Sequence, residues 1–224
     1  MQREPVSFAD PALYAARFAA LWSRAMSGAS ATAGVVYGRL TQRYGESHRR
    51  YHTLDHIGRC LEEFDRAALL ADDPDSVEIA LWFHDVVYRP GAPDNERRSA
   101  KLFQECSAGC EDLALQRRIG DLIMATTHRK PLNQRDERLI ADIDLAGFGL
   151  TWEAFERDGR QLRAEFAEVP DSRYYPGLLR FLCGLQGRQT FFYTDDFQQR
   201  YEPKARANLQ RLVENLVARG YSAG

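Results

Sequence analysis

Apolar residues recur along this chain with helical rather than strand spacing. Between 54 and 70, Ile57, Cys60, Leu61, Phe64 and Ala68 fall at i, i+3, i+4, i+7 and i+11, one face of a helix. Thr53 is placed to cap its start. A helix over 12–26 is marked by Leu13, Ala16, Ala20 and Ala25, and "SGASATAG" (27–34) follows it as a loop of small residues. "ADDPDS" (71–76) breaks the chain and offers Asp75 or Ser76 as the cap of a helix over 76–88. "YRPGAPDNE" (88–96) is a loop by its Pro and Gly content. Further helices are predicted over 96–106, 111–128, 135–147, 176–186 and 202–218. Thr151 caps another, which carries Trp152, Phe155, Leu162 and Phe166 on one face and ends at Pro170. "TFFYTDDF" (190–197) reads as a short extended piece. There is no set of period-two strands, no internal repeat and no linker. The pattern predicts an all-α chain, a single-domain helical bundle spanning 1–224.

One helix of this set contains an anomaly. In "EIALWFHDVVY" (78–88) an imidazole and a carboxylate interrupt an apolar run. The predicted stripe runs Val77, Ala80, Leu81, His84, Val87 and Tyr88, so His84 faces the core and Asp85 lies about 100° around the helix. A buried unpaired carboxylate costs several kcal/mol. A satisfied buried pair would account for an isolated His-Asp. Two further patterns ask for more. The chain has five histidines, His48, His52, His56, His84 and His128, and three of them cluster between 52 and 84. In "RLIADIDLAGFG" the stripe of Ile140, Ile143, Asp144 and Gly147 turns Asp144 inward. Asp142 belongs to another face, so Asp142→Asn is expected to be mild. His56, His84, Asp85 and Asp144 thus form a candidate metal set. Two imidazoles and two carboxylates suit a divalent ion such as Mn, Fe, Co, Ni, Zn or Mg, and helix-borne ligands converging inside a bundle are a known way to build such a site.

Composition narrows the function classes. A net charge of −2 gives no reason to expect nucleic acid or an anionic membrane as partner. No apolar run approaches the roughly 20 residues of a membrane span. "MQREPVSFADPALYAARFAALW" lacks the basic start and apolar centre of a signal peptide, so a cytoplasmic protein is expected. Cys60, Cys106, Cys110 and Cys183 include no C-x-x-C pair; they read as buried thiols rather than a zinc site or disulfide framework.

A first His, then an adjacent His-Asp, then a distant Asp, all on helices, resembles the HD superfamily of metal-dependent phosphohydrolases. The residues are His56 in "HIGRCLEEF", His84 and Asp85 in "LWFHDVVY", and Asp144 in "DIDLAGFG". The chain is more specifically similar to one small bacterial group of that superfamily, through "RRYHTLDHI", "WFHDVVY", "DNERRSA", "TTH" and "EPKARANL". The resemblance implies an HD-type helical core over about 45–150 with the N- and C-terminal helices packed on it. It also implies a divalent metal cofactor, one ion or two, and hydrolysis of a phosphoester or phosphoanhydride by a metal-activated water.

Neighbouring residues acquire candidate roles beside that resemblance. His52 is four residues before His56, but a cap at Thr53 places it just outside the helix. It is assigned to the pocket, on a phosphate or bridging water, with an ordinary loop histidine as the alternative. Asp94 and Glu96 favour a helix N-terminus through the macrodipole; the family-like motif implies that Glu96 faces the site and orients or deprotonates the attacking water. Catalysis is thereby assigned to Glu96 and Asp85. His128 in "TTH" is expected to contact the phosphate or a second ion, and Tyr88 to line the pocket or to fill the core. The substrate expected is a small phosphorylated metabolite, a nucleotide or another phosphomonoester. The alternative is a catalytically weak nucleotide-sensing or protein-binding HD module. Homo-oligomerisation is left open.

Overall fold

Ten α-helices and two 3-10 turns carry the described residues, 11–223, of the computed structural model, and no strand forms among them. The all-α expectation holds. The charged stretch before Pro11, read above as unlike a signal peptide, lies outside the described residues. Contacts divide the chain into two compact units between Ala141 and Asp142. No helix is long and apolar enough to cross a membrane.

In the first unit the helices are α1 (Pro11–Ala25), α2 (Ala33–Tyr44), α3 (Leu54–Ala67), α4 (Pro74–Phe83), α5 (Asn95–Cys106) and α6 (Leu113–Ala125). The helix α7 (Arg135–Leu145) begins there. Helix α4 is central: α1, α3, α5 and α6 all pack on it, and every residue from Ser76 to His84 is buried. An all-round apolar surface is what a surrounded helix needs, and it leaves no stripe to read. The predicted stripe is therefore corrected. The helix stops at Phe83, His84 is its C-cap, and Val87 and Tyr88 lie in the turn beyond. Its N-cap is Asp73, not Asp75 or Ser76: the Asp73 carboxylate accepts from Ser76 N at 3.2 Å, with Pro74 in the first turn.

Other boundaries moved for identifiable reasons. Helix α1 buries Phe18, Leu21 and Trp22, whereas Leu13 is exposed; its aromatic face, not the Leu/Ala series, meets the core. Helix α2 had no predicted counterpart. Gly34 and Gly38 lower its intrinsic propensity, yet Val36, Leu40 and Tyr44, four apart, are buried, and the Tyr44 hydroxyl donates to the Trp82 carbonyl at 3.0 Å. Arg17 ties α1 to Asp65 of α3 (2.6 Å) and to the buried Glu78 of α4 (2.7 Å).

The second unit holds a 3-10 turn (Ala146–Gly149), α8 (Trp152–Glu165), α9 (Asp171–Gln186) and α10 (Asp195–Ala218). Thr151 caps α8, its hydroxyl accepting from Ala154 N at 3.4 Å. Helices α9 and α10 begin five and seven residues before their predicted starts and run through Pro176 and Pro203. Proline removes one helical donor in each, and the buried Leu179, Leu182, Leu185, Phe197, Ala205 and Leu209 outweigh that loss. The segment 190–194 is not extended pairing strand but a knot of bends. Glu202 accepts from the Phe191 and Phe192 amides (2.7 and 3.0 Å), and Asp142 accepts from the amides of Tyr193 and Thr194, both at 2.8 Å.

Candidate metal centre

Helix α3 places His56 on its first turn, buried with Ile57 and Cys60. Thr53 stands at the N-cap in an extended conformation, but its hydroxyl makes no capping hydrogen bond. His52 accordingly lies outside the helix, as a cap at Thr53 predicted. Facing this turn is the end of α4. His84 is 1% exposed and His56 2%, and their Nε2 atoms are 3.2 Å apart. Asp85 Oδ2 lies 3.0 Å from His84 Nε2 and 3.5 Å from His56 Nε2.

These three separations fit a cation. Two ligand atoms at about 2.1 Å from a metal lie roughly 3.0 Å apart in an octahedral arrangement and 3.4 Å in a tetrahedral one. The tautomer fits too. His84 Nδ1 is 2.8 Å from the Leu81 carbonyl oxygen; a carbonyl only accepts, so Nδ1 carries a proton and Nε2 is the nitrogen that faces His56 and Asp85. Backbone support at the second ring nitrogen is typical of metal-ligating histidines. Three electron-rich atoms meeting at such distances call for positive charge among them. Burial pushes the Asp85 carboxyl up, but the imidazoles of His84, His52 and His56 around it hold it well below the usual carboxylate range.

Cys60, read from sequence as a plain buried thiol, belongs to the same group. Its Sγ is 3.7 Å from His56 Nε2, and His56, Cys60 and His84 offer ligand atoms within 4.8 Å of one another. The position was legible in part, since Cys60 follows His56 by four residues on the same helical face. A buried His, Cys and Asp group of this kind suits a metal ion.

The centre opens on one side. Side-chain exposure rises from 1% at His84 and 3% at His56 to 14% at Asp85 and 15% at His52. His52 Nε2 is 3.9 Å from Asp85 Oδ2, and its ring stacks on Tyr88 with centroids 4.0 Å apart. Tyr51 packs on His56 at 4.9 Å. The structure thus brings His52, His56, His84, Asp85 and Tyr88 together.

The remaining candidates stand on other elements. Glu96 is on the first turn of α5, partly exposed. His128 follows α6 with φ of 53°, a left-handed backbone that is uncommon outside glycine. Asp144 belongs to the second unit, on the last turn of α7, one turn beyond the fully buried Ile140. Asp142 is not a bystander: it is 1% exposed and secures the 193–194 backbone.

Two parts of the motif resemblance serve as scaffold, which sequence reasoning missed. Asn95 accepts from the Arg89 amide and donates to the Arg89 carbonyl, both at 3.0 Å, while Ser99 Oγ accepts from the Val87 amide at 3.1 Å. Both residues of "DNERRSA" therefore hold the segment that follows Asp85. Asp94 pairs with Arg97 and Arg98. No family model, no curated protein and no solved structure matches this chain.

Proposed function

We infer that the chain is a metal-dependent phosphohydrolase acting on a small phosphorylated metabolite, a nucleotide or another phosphomonoester. The observation that carries this reading is the triangle of His56 Nε2, His84 Nε2 and Asp85 Oδ2, with sides of 3.0, 3.2 and 3.5 Å. His56, His84 and Asp85 would hold the ion. The ordered set of His56, His84–Asp85 and Asp144 supports the same reading through its likeness to HD phosphohydrolases. When bound, a divalent ion supplies a Lewis acid and makes a water acidic enough to attack phosphorus near neutral pH.

The chain's own groups do the rest. His84 is locked by the Leu81 carbonyl, so the ligand side of its ring cannot rotate away. Asp85 and His52 form the solvent-facing rim, where a phosphoryl group enters. His52, fixed against Tyr88, donates to a phosphoryl oxygen and steadies charge that develops there. Glu96 takes the proton of the attacking water, and His128 contacts the phosphate on departure. No membrane or nucleic acid takes part, and the reaction is cytoplasmic in this reading.

Asp85→Ala tests it directly. The variant is expected to lose bound metal and phosphate release together in a screen of nucleotides and sugar phosphates with Mn, Mg, Co, Ni or Zn ions. Full metal occupancy in Asp85→Ala would reject the ligand assignment. Metal binding by the unaltered chain with no phosphate release from any substrate would favour a binding module instead.

A further inference from the structure

Arg49 was given no role by its sequence context, and its environment is unusual. Its side chain is 0% exposed. A guanidinium keeps its proton, so a full positive charge is buried and its donors must be satisfied. Only one partner is an acid: Nε donates to Glu46 Oε2 at 3.2 Å, and Glu46 is 28% exposed and shared with Arg43. The rest of the fork goes to backbone carbonyls. Nη1 donates to His52 O at 3.0 Å and to Asp85 O at 2.8 Å, and Nη2 to Val86 O at 3.0 Å. The guanidinium also lies over Tyr44 and Tyr88, 5.2 and 5.6 Å from their ring centroids. Tyr88 is the ring on which His52 stacks.

Those three carbonyls belong to two segments of distant sequence. One precedes α3 and carries His52, four residues from His56. The other follows α4 and carries Asp85. We propose that Arg49 is a positioning residue of the metal centre: its planar fork sets the distance between these two segments and so delivers Asp85 Oδ2 to the two imidazoles. The role rests on the metal-centre reading above. It differs from ordinary structural pairing because the partners are the main chain of a ligand residue and of a pocket residue. A site of this type needs its groups held within about 0.5 Å. Lysine keeps the charge but has no flat fork to span carbonyls lying in several directions.

The test uses the full chain with Arg49→Lys and Arg49→Met. Arg17→Lys serves as the control, since Arg17 links α1 to α3 and α4 through Asp65 and Glu78. Mn²⁺ affinity is measured by calorimetry, Co²⁺ geometry by visible absorption and folding by circular dichroism and thermal midpoint. Arg49→Lys is expected to stay helical, to bind Mn²⁺ about 10-fold or more weakly and to show an altered Co²⁺ spectrum. Arg49→Met should lose more; if it does not fold, the Lys variant decides. Arg17→Lys should lower the midpoint without moving the affinity or the spectrum. A wild-type affinity and spectrum in Arg49→Lys overturn the proposal, as does an equal affinity loss in Arg17→Lys. If the unaltered chain binds neither ion, the metal centre itself falls and this role with it, an outcome distinct from failure of Arg49 alone.

Discussion

The Nδ1–H of His84 is spent on the Leu81 carbonyl 2.8 Å away, and that bond decides which nitrogen faces the centre. Its partner is a backbone atom three residues earlier, so it follows from helix geometry once His84 is known to end α4. The anomaly itself was plain in the sequence, because an imidazole and an acid inside an apolar run need a reason. Arg49, Asn95 and Ser99 were not legible, since they bind main-chain atoms and every residue type offers a carbonyl. Asp142 was misjudged for a related cause. Its periodicity set it on another face than Asp144, but that this face is buried was invisible without the partner at 193–194. Its carboxylate accepts from two amides and from the Thr194 hydroxyl, all at 2.8 Å. Asp142→Asn would set an amide N–H₂ against these donors. The variant is expected to lose about 1–3 kcal/mol, read as a lower urea midpoint with unchanged slope, rather than to be mild.

At the scale of elements, α4 is both the packing centre of the first unit and the helix that ends in His84. It starts at a capped turn and ends at the candidate metal centre, so what fixes its start also fixes His84. Asp73 caps it, and Arg118 pairs with the same carboxylate. Burial pushes the Asp73 carboxyl up, but hydrogen bonds from Ser76 and Arg118 prevail and lower it below its ordinary value. A lowered folded pKa contributes stability that is present above the unfolded value, about 3.9, and is lost as pH falls through the folded one. Asp73→Ala is therefore expected to cost about 1 kcal/mol at neutral pH. The gap from wild type should narrow in denaturation curves taken below about pH 4. A gap independent of pH would remove the charge from the account. Helix α4 also shows why a helix can be predicted yet misbounded: when all faces are apolar, periodicity carries no phase, and the end must be read from what packs there.

For the whole molecule, the buried cluster links metal to stability. Three nitrogen and oxygen atoms held within 3.5 Å need a proton or a metal cation between them. An ion that binds only the folded chain stabilises it by about 2.7 kcal/mol at one hundred times its Kd. Adding Mn²⁺ to metal-free protein should thus raise the thermal midpoint, a chelator should reverse the rise, and Asp85→Ala should show neither effect. An unchanged midpoint in the unaltered chain would contradict the centre. The sequence by itself determined the helical class and most helix positions, and it marked His84 and Asp85 as out of place in an apolar run, because periodicity and a misplaced polar pair are local signals. Tertiary structure alone decided that α2 is a helix, that α4 is surrounded, that Cys60 joins the imidazoles and that Arg49 spans two segments. Those outcomes depend on which distant surfaces meet, and burial is a property of the packed chain rather than of any stretch of it.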